Sequence, residues 1–119
     1  MSLSVSIVDD DAGSRGATAS LVRSLGLAVE TFGSAREFLE SPASATSACL
    51  ITDIHMPEIT GLELQGRLRA LLPNLPVIVV TGFPTAAVRD MALEAGAVGF
   101  FAKPLGPNFL ACLEGLIAA

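Results

Sequence analysis

Tryptophan and tyrosine are absent from these 119 residues, and lysine and histidine occur once each, as Lys103 and His55. With phenylalanine as the sole aromatic, no ring carries a hydroxyl or an indole N–H, and ordinary fluorescence titration has no fluorophore to follow. Charge is also scarce: 16% of residues are charged, and 7 Lys and Arg face 12 Asp and Glu, a formal net charge of -5. That balance argues against a grip on a phosphate backbone, which draws on clustered cations, so no direct nucleic-acid binding is expected of this segment. The two cysteines, Cys49 and Cys112, stand in apolar surroundings without metal-ligand spacing and read as buried thiols. No apolar run approaches the length that crosses a bilayer. The start, MSLSVSIV, has no basic region before its apolar part and no cleavage pattern after it. A cytoplasmic protein without membrane association is the expectation.

What is abundant is apolar material, 51% of the chain, enough for one good core; residues 1–119 read as a single domain. Ser4 to Val8 reads as a strand and Ala12 to Leu25 as a helix with the stripe Ala17, Leu21, Val22 and Leu25, closed by Gly26 at a C′ position. Ala28 to Phe32 follows as a strand, and Ser34 and Glu37 have capping-box spacing for a short helix to about Glu40. Ser41 to Ser47 is small and polar and reads as a surface connection. Ala48 to Thr52 is again strand-like. After Asp53 comes a turn-rich HMPEITG, where Met56 and Pro57 read as turn and packing residues. A helix runs from about Thr60, with Glu63 as its capping partner, to Pro73. Pro76 to Thr81, Thr85 to Ala95 with Gly96, Val98 to Ala102 and Pro107 to Ala118 complete five strands alternating with five helices. Strands apolar on consecutive positions imply a sheet covered on both faces, hence an α/β fold with a doubly wound parallel sheet.

In such sheets the reactive site lies beyond the carboxyl ends of the strands. Asp9, Asp10 and Asp11 follow the first strand, Asp53 follows the third, Thr81 and Gly82 finish the fourth, and the fifth runs into Lys103 and Pro104. Four of the five aspartates and the only lysine therefore share one edge. Carboxylates this close repel one another unless a cation compensates, and a hard divalent ion such as magnesium suits an open acidic corner. A carboxylate beside that ion can attack a phosphoryl donor, while an ammonium and a hydroxyl such as that of Thr81 neutralise or bond the phosphoryl oxygens. Asp11 or a neighbour also suits a plainer role, capping the first helix.

These blocks resemble the receiver domain of bacterial two-component response regulators. VDD at Val8 to Asp10, TDIHMPEITG at Thr52 to Gly61, VVTG at Val79 to Gly82 and FFAKP at Phe100 to Pro104 carry the likeness, which spans about Val5 to Ala118. The resemblance implies a five-stranded, flavodoxin-like (βα)5 fold of strand order 2-1-3-4-5. It implies that Asp53 accepts the phosphoryl group of a phosphohistidine on a sensor histidine kinase or phosphotransfer protein. Mg2+, with Mn2+ as a substitute, would be held by Asp10, Asp53 and the backbone carbonyl of His55, with Asp9 acting mainly through water. Thr81 would follow the phosphoryl group inward, Lys103 would bridge to its oxygens, and the Lys103–Pro104 peptide would be cis. Phe100 takes the aromatic switch position, reporting to the face of the last two helices and the strand between them, through which a homodimer could form. Asp11 more naturally caps the helix, and the His55 side chain reads as an exposed loop group, with tuning of the phosphoryl lifetime as the alternative.

The chain is then a switch rather than an enzyme, limited to its own phosphorylation and dephosphorylation. Details such as TGF and AGAVGFFAKPL resemble the nitrogen-fixation regulator branch, which implies control of transcription through a DNA-binding domain outside this segment; the alternative is a stand-alone receiver acting by protein contact. A haloacid dehalogenase-type phosphohydrolase is a further rival, because Asp9 and Asp11 stand two residues apart as its nucleophile and second acid would.

Overall fold

The computed structural model of the chain describes residues 3–54 and 60–118. Five strands, Ser4–Val8 (β1), Ala28–Phe32 (β2), Cys49–Asp53 (β3), Val77–Thr81 (β4) and Gly99–Ala102 (β5), form one parallel sheet in the order β2-β1-β3-β4-β5. The helices are Ala12–Arg23 (α1), Ala35–Glu40 (α2), Ala43–Thr46 (α3), Gly61–Leu71 (α4), Ala86–Glu94 (α5) and Pro107–Ala118 (α6). The doubly wound α/β fold expected from the strand-helix alternation is the fold observed.

Two cores explain the continuous apolar runs. In β4, Val77 and Val79 join Phe38, Leu64, Leu68 and Ala92 from α2, α4 and α5 on one face of the sheet. Ile78 and Val80 join Val22, Phe109 and Leu113 from α1 and α6 on the other. Each side chain of β3 and β4 is buried because neither face meets water. The edge strand β2 departs from this pattern: Ala28, Glu30 and Thr31 are exposed, since only one side of the strand has a neighbour.

Several boundaries differ from the sequence expectation. Helix α1 ends at Arg23 rather than Leu25, because the Ser24 hydroxyl turns back to donate to the Leu21 carbonyl. Gly26, at φ +81°, then reverses the chain two residues beyond that cap. The face α1 presents to the sheet is Thr18, Ala19 and Val22; Leu21 and Leu25 are half-buried and Ala17 is exposed. The sheet-facing stripe is thus rotated from the one that apolar spacing picks out, and it takes in the polar Thr18.

The expected surface connection 41–47 contains the extra helix α3. Its serines supply the missing partners: the Ala43 N–H donates to Ser41 Oγ at 3.1 Å, Ser44 Oγ to the Ser41 carbonyl at 2.9 Å, and Ser47 Oγ to the Ala43 carbonyl at 2.6 Å. Ser47 also pairs with the buried hydroxyl of Ser6 in β1, tying this turn to the sheet. Asp53 proves to be the last residue of β3 and not the first beyond it.

The caps form as expected at Ser34 and Thr60, whose hydroxyls accept from the N–H groups of Glu37 and Glu63, and the Thr85 hydroxyl caps α5 in the same way by accepting from Val88. At the end of α5, Gly96 adopts φ +101°, its N–H donating to Leu93 and that of Ala97 to Ala92, a Schellman closure that returns the chain to β5.

Gly99 is held by packing. A Cβ there would lie 2.8 Å from the Phe101 ring and 3.1 Å from Cys112 Sγ. Phe101 is itself fixed edge-on against buried Phe109, with ring centroids 5.8 Å apart. Gly99→Ala is therefore expected to cost about 1–3 kcal/mol by overpacking, measured as a lowered denaturation midpoint in chemical unfolding followed by circular dichroism. An unchanged midpoint would show that the rings yield freely.

Cys49 is fully buried, and burial, with a smaller contribution from nearby Cys112, pushes its thiol up to about 12. Cys112 is half-buried, so the sequence reading of two buried thiols holds in full only for Cys49.

Candidate functional site

Parallel strands all end on the same side, so β1, β3, β4 and β5 deliver Asp9, Asp53, Thr81 and Lys103 to one edge without any of them being close in sequence. Asp9 and Thr81 are 1% and 0% exposed and form the floor. Above them opens a shallow cavity of about 280 Å³ lined by Asp10, Asp11, Ser14, Asp53, Gly82, Phe83 and Lys103.

Lys103 is the centre of the charge distribution. Its ammonium donates to Asp53 Oδ2 at 2.6 Å and to Asp9 Oδ2 at 2.8 Å, so one cation is shared by two carboxylates. Burial alone would lower the lysine pKa, but the hydrogen bonds to Asp53 and Asp9 outweigh it and hold the pKa above its ordinary 10.5. Backbone places the side chain as well: the Lys103 N–H donates to the Thr81 carbonyl at 2.8 Å, and the Lys103–Pro104 peptide is cis.

Asp9 has a partner for every polar group. Its N–H donates to the Phe32 carbonyl at 3.1 Å and its carbonyl accepts from Arg15 Nη1 at 2.8 Å. Oδ1 accepts the Asp11 N–H at 2.9 Å, and Oδ2 accepts from Lys103. Asp10 is exposed. Asp11 caps α1, its Oδ2 accepting the Ser14 N–H at 2.7 Å, which is the plainer of the two roles its sequence position allowed. That cap engages Asp11 Oδ2 with the helix N-terminus, whereas the phosphohydrolase alternative required Asp11 as a second working acid.

Carboxylate oxygens of Asp9, Asp10 and Asp53 lie within 4.8 Å of one another. The set is hard oxygen only, with one exposed and two buried members, and it fits a magnesium-type ion that keeps part of its water. A carboxylate offers about four lone-pair sites, so the bonds Asp9 makes to protein donors still leave acceptor capacity. The expected His55 carbonyl and His55 side chain lie outside the described residues, as do Met56 and Pro57.

Thr81 Oγ1 accepts the Phe83 N–H at 3.1 Å, which leaves its own proton available for donation. Phe100, opposite Val79 in the ladder, is half-buried against the core on the side of α4 and α5. Among the residues in or bordering the site that the sequence reading did not single out are Phe83 and, behind the cavity, Arg15. Phe83, 78% exposed, stands at the cavity mouth, and Arg15 reaches Asp9 from the first turn of α1. The spacing of Arg15 from Thr18, Ala19 and Val22, positions three, four and seven further along one helix face, was the available clue.

Residues 5–112 match the family model described as the response regulator receiver domain. The chain is 44% identical over 98 residues to the response regulator protein TodT of Pseudomonas putida, covering 82% of this chain and 43% of that protein. It is 40% identical over 103 residues to the transcriptional regulatory protein FixJ of Azorhizobium caulinodans, covering 87% of this chain and 49% of that one. The chain thus spans about half the length of these curated relatives. The crystal structure of FixJ-N superposes with a TM-score of 0.84 at 32% identity, covering 98% of this chain and 94% of that one. With the acidic edge, the shared lysine and the strand order all in agreement, the chain belongs to the receiver domains of two-component response regulators.

Proposed function

We propose that the chain is a phosphorylation-controlled switch whose acceptor is Asp53. The observation that supports this most directly is the Lys103 ammonium 2.6 Å from Asp53 Oδ2, at the base of an open cavity with the Asp9 and Asp10 carboxylates alongside. A phosphohistidine on a histidine kinase or phosphotransfer protein is the donor. The Asp53 carboxylate forms a new P–O bond as the P–N bond breaks, and the electron pair of that bond returns to the imidazole. Asp10 and Asp53, with Asp9 behind them, would hold magnesium, which supplies neutralisation of the phosphoryl charge.

Lys103, already tethered to Asp53, follows the new dianion, and Thr81 offers its hydroxyl proton to a phosphoryl oxygen. Movement of Thr81 makes room for Phe100 to turn inward, favouring one of two pre-existing conformations. The readout face is α5, β5 and α6; the exposed apolar residues of this region, Met91 and Leu93 on two different sides of α5 and Val98 just before β5, are 53%, 39% and 48% exposed, and contact with a second copy or with a partner is the proposed output. Because the relatives are about twice as long and one is named a transcriptional regulatory protein, we read the chain, 1–119, as a single receiver domain acting in the cytoplasm on transcription through another segment. No helix among the described residues is long and apolar enough to cross a membrane.

Intact-protein mass spectrometry after incubation with a small phosphoryl donor tests the reading. One adduct per chain that forms with magnesium and not with a chelator is the expected result. Steady turnover of the donor without a stoichiometric adduct would replace the switch with an enzyme.

A further inference from the structure

Arg15 contacts neither the Asp53 carboxylate nor the cavity, yet it holds the peptide group on which the acidic pair is mounted. Its place on α1 faces the sheet, in line with buried Thr18, Ala19 and Val22. The guanidinium donates to the Asp9 carbonyl at 2.8 Å, and that carbonyl belongs to the peptide joining Asp9 to Asp10. The other side of Asp9 is fixed by its N–H bond to Phe32, and the turn after β2 closes on the same place. A methyl group on Gly33 would lie 3.6 Å from Arg15 Nη1 and 3.7 Å from Glu37 Oε2, and Glu37 Oε2 accepts the Gly33 N–H at 2.9 Å. Asp10, being exposed, depends on the orientation of that peptide more than buried Asp9 does.

We propose, resting on the metal-dependent acceptor reading above, that Arg15 is a positioning residue for divalent-cation affinity. By clamping the Asp9–Asp10 peptide it aims the two carboxylates at a common point, in the manner of outer partners that orient metal ligands. Two effects of Arg15 on an incoming cation oppose each other. Its positive charge repels the ion, while the hydrogen bond orders the ligands. The guanidinium directs its hydrogen bond at the Asp9 carbonyl rather than at a carboxylate, so ordering is proposed to outweigh repulsion. The sign of the change on removing Arg15 decides between them.

The test is Mn2+ binding to the unphosphorylated chain, followed by the electron paramagnetic resonance of the free ion, in wild type, Arg15→Met and Arg15→Lys. Arg15→Met is expected to bind Mn2+ about tenfold more weakly. Arg15→Lys, with equal charge but a single-point donor, should fall between it and wild type. Phosphoryl uptake at saturating metal should stay within about twofold of wild type, placing the loss in affinity and not in the chemical step. Equal or tighter Mn2+ binding in Arg15→Met overturns the proposal. If circular dichroism shows that Arg15→Met does not fold, Arg15→Lys decides: wild-type affinity in that variant likewise overturns it. Failure of the wild type to bind Mn2+ at all would remove the underlying site reading instead, an outcome distinct from a loss of the Arg15 effect alone.

Discussion

Asp53→Asn is expected to abolish the phosphoryl adduct while leaving the fold intact. An amide oxygen has no negative charge to direct at phosphorus, and none of the other carboxylates shares the placement of Asp53. Asp9 lies on the floor with both oxygens bonded to protein donors, and Asp11 is spent on a helix cap. Stability should be equal to or slightly above that of wild type, because one of three neighbouring like charges is removed while Lys103 keeps its bond to Asp9. Intact mass measures the first effect and thermal unfolding by circular dichroism the second. An adduct of undiminished stoichiometry in the variant would move the acceptor elsewhere, with Asp10 the first residue to examine.

Lys103→Met should separate metal binding from chemistry. Without its ammonium, the donor poised for the transferring oxygens is lost, and adduct formation is expected to slow by about 10²–10³-fold, the usual scale for one preorganised charge-stabilising donor. Magnesium should nonetheless bind more tightly, because the protein's own cation no longer competes for Asp9 and Asp53. Stability in the absence of metal should fall by about 1–3 kcal/mol. That is below the figure for a fully buried broken pair, since the Lys103 side chain is 19% exposed and solvent screens part of the remaining repulsion. The wild-type bridge also carries a pH signature. Because the Lys103 pKa is raised above its ordinary 10.5, the contribution of the bridge is complete below that value and declines as pH climbs through the higher folded value. Calorimetric magnesium titration beside the rate of adduct formation checks the separation; a wild-type rate in the variant would deny Lys103 its role.

The strands were legible because a sheet covered twice demands apolar residues at every position, as in Val77 to Val80. The site was legible in the same way: Asp53, Thr81 and Lys103 are polar residues standing where such runs stop. Helix α3 was not, because it is built from serine hydroxyls that bond locally, and the same composition describes an open loop. The buried face of α1 was misjudged because Ala17 and Leu21 are as apolar as the residues that face the sheet, while the true face includes the polar Thr18, so apolar spacing alone picked a stripe rotated from the real one. Nor could the bond from Arg15 or the protein partners of Asp9 be read from spacing alone. These partners come from β2, from both ends of the β1–α1 corner and from the turn after β5.

The four bonds of Asp9 restrict which residue can stand there, apart from any ion. Both of its carboxylate oxygens face donors, the Asp11 N–H and the Lys103 ammonium. An amide of the same shape offers one acceptor and one donor group, so either orientation of an asparagine would set hydrogen against hydrogen at one of the two contacts. Isosteric replacement thus fails on polarity rather than on size, and the demand for an acid at position 9 is already written into the closing of the chain around it.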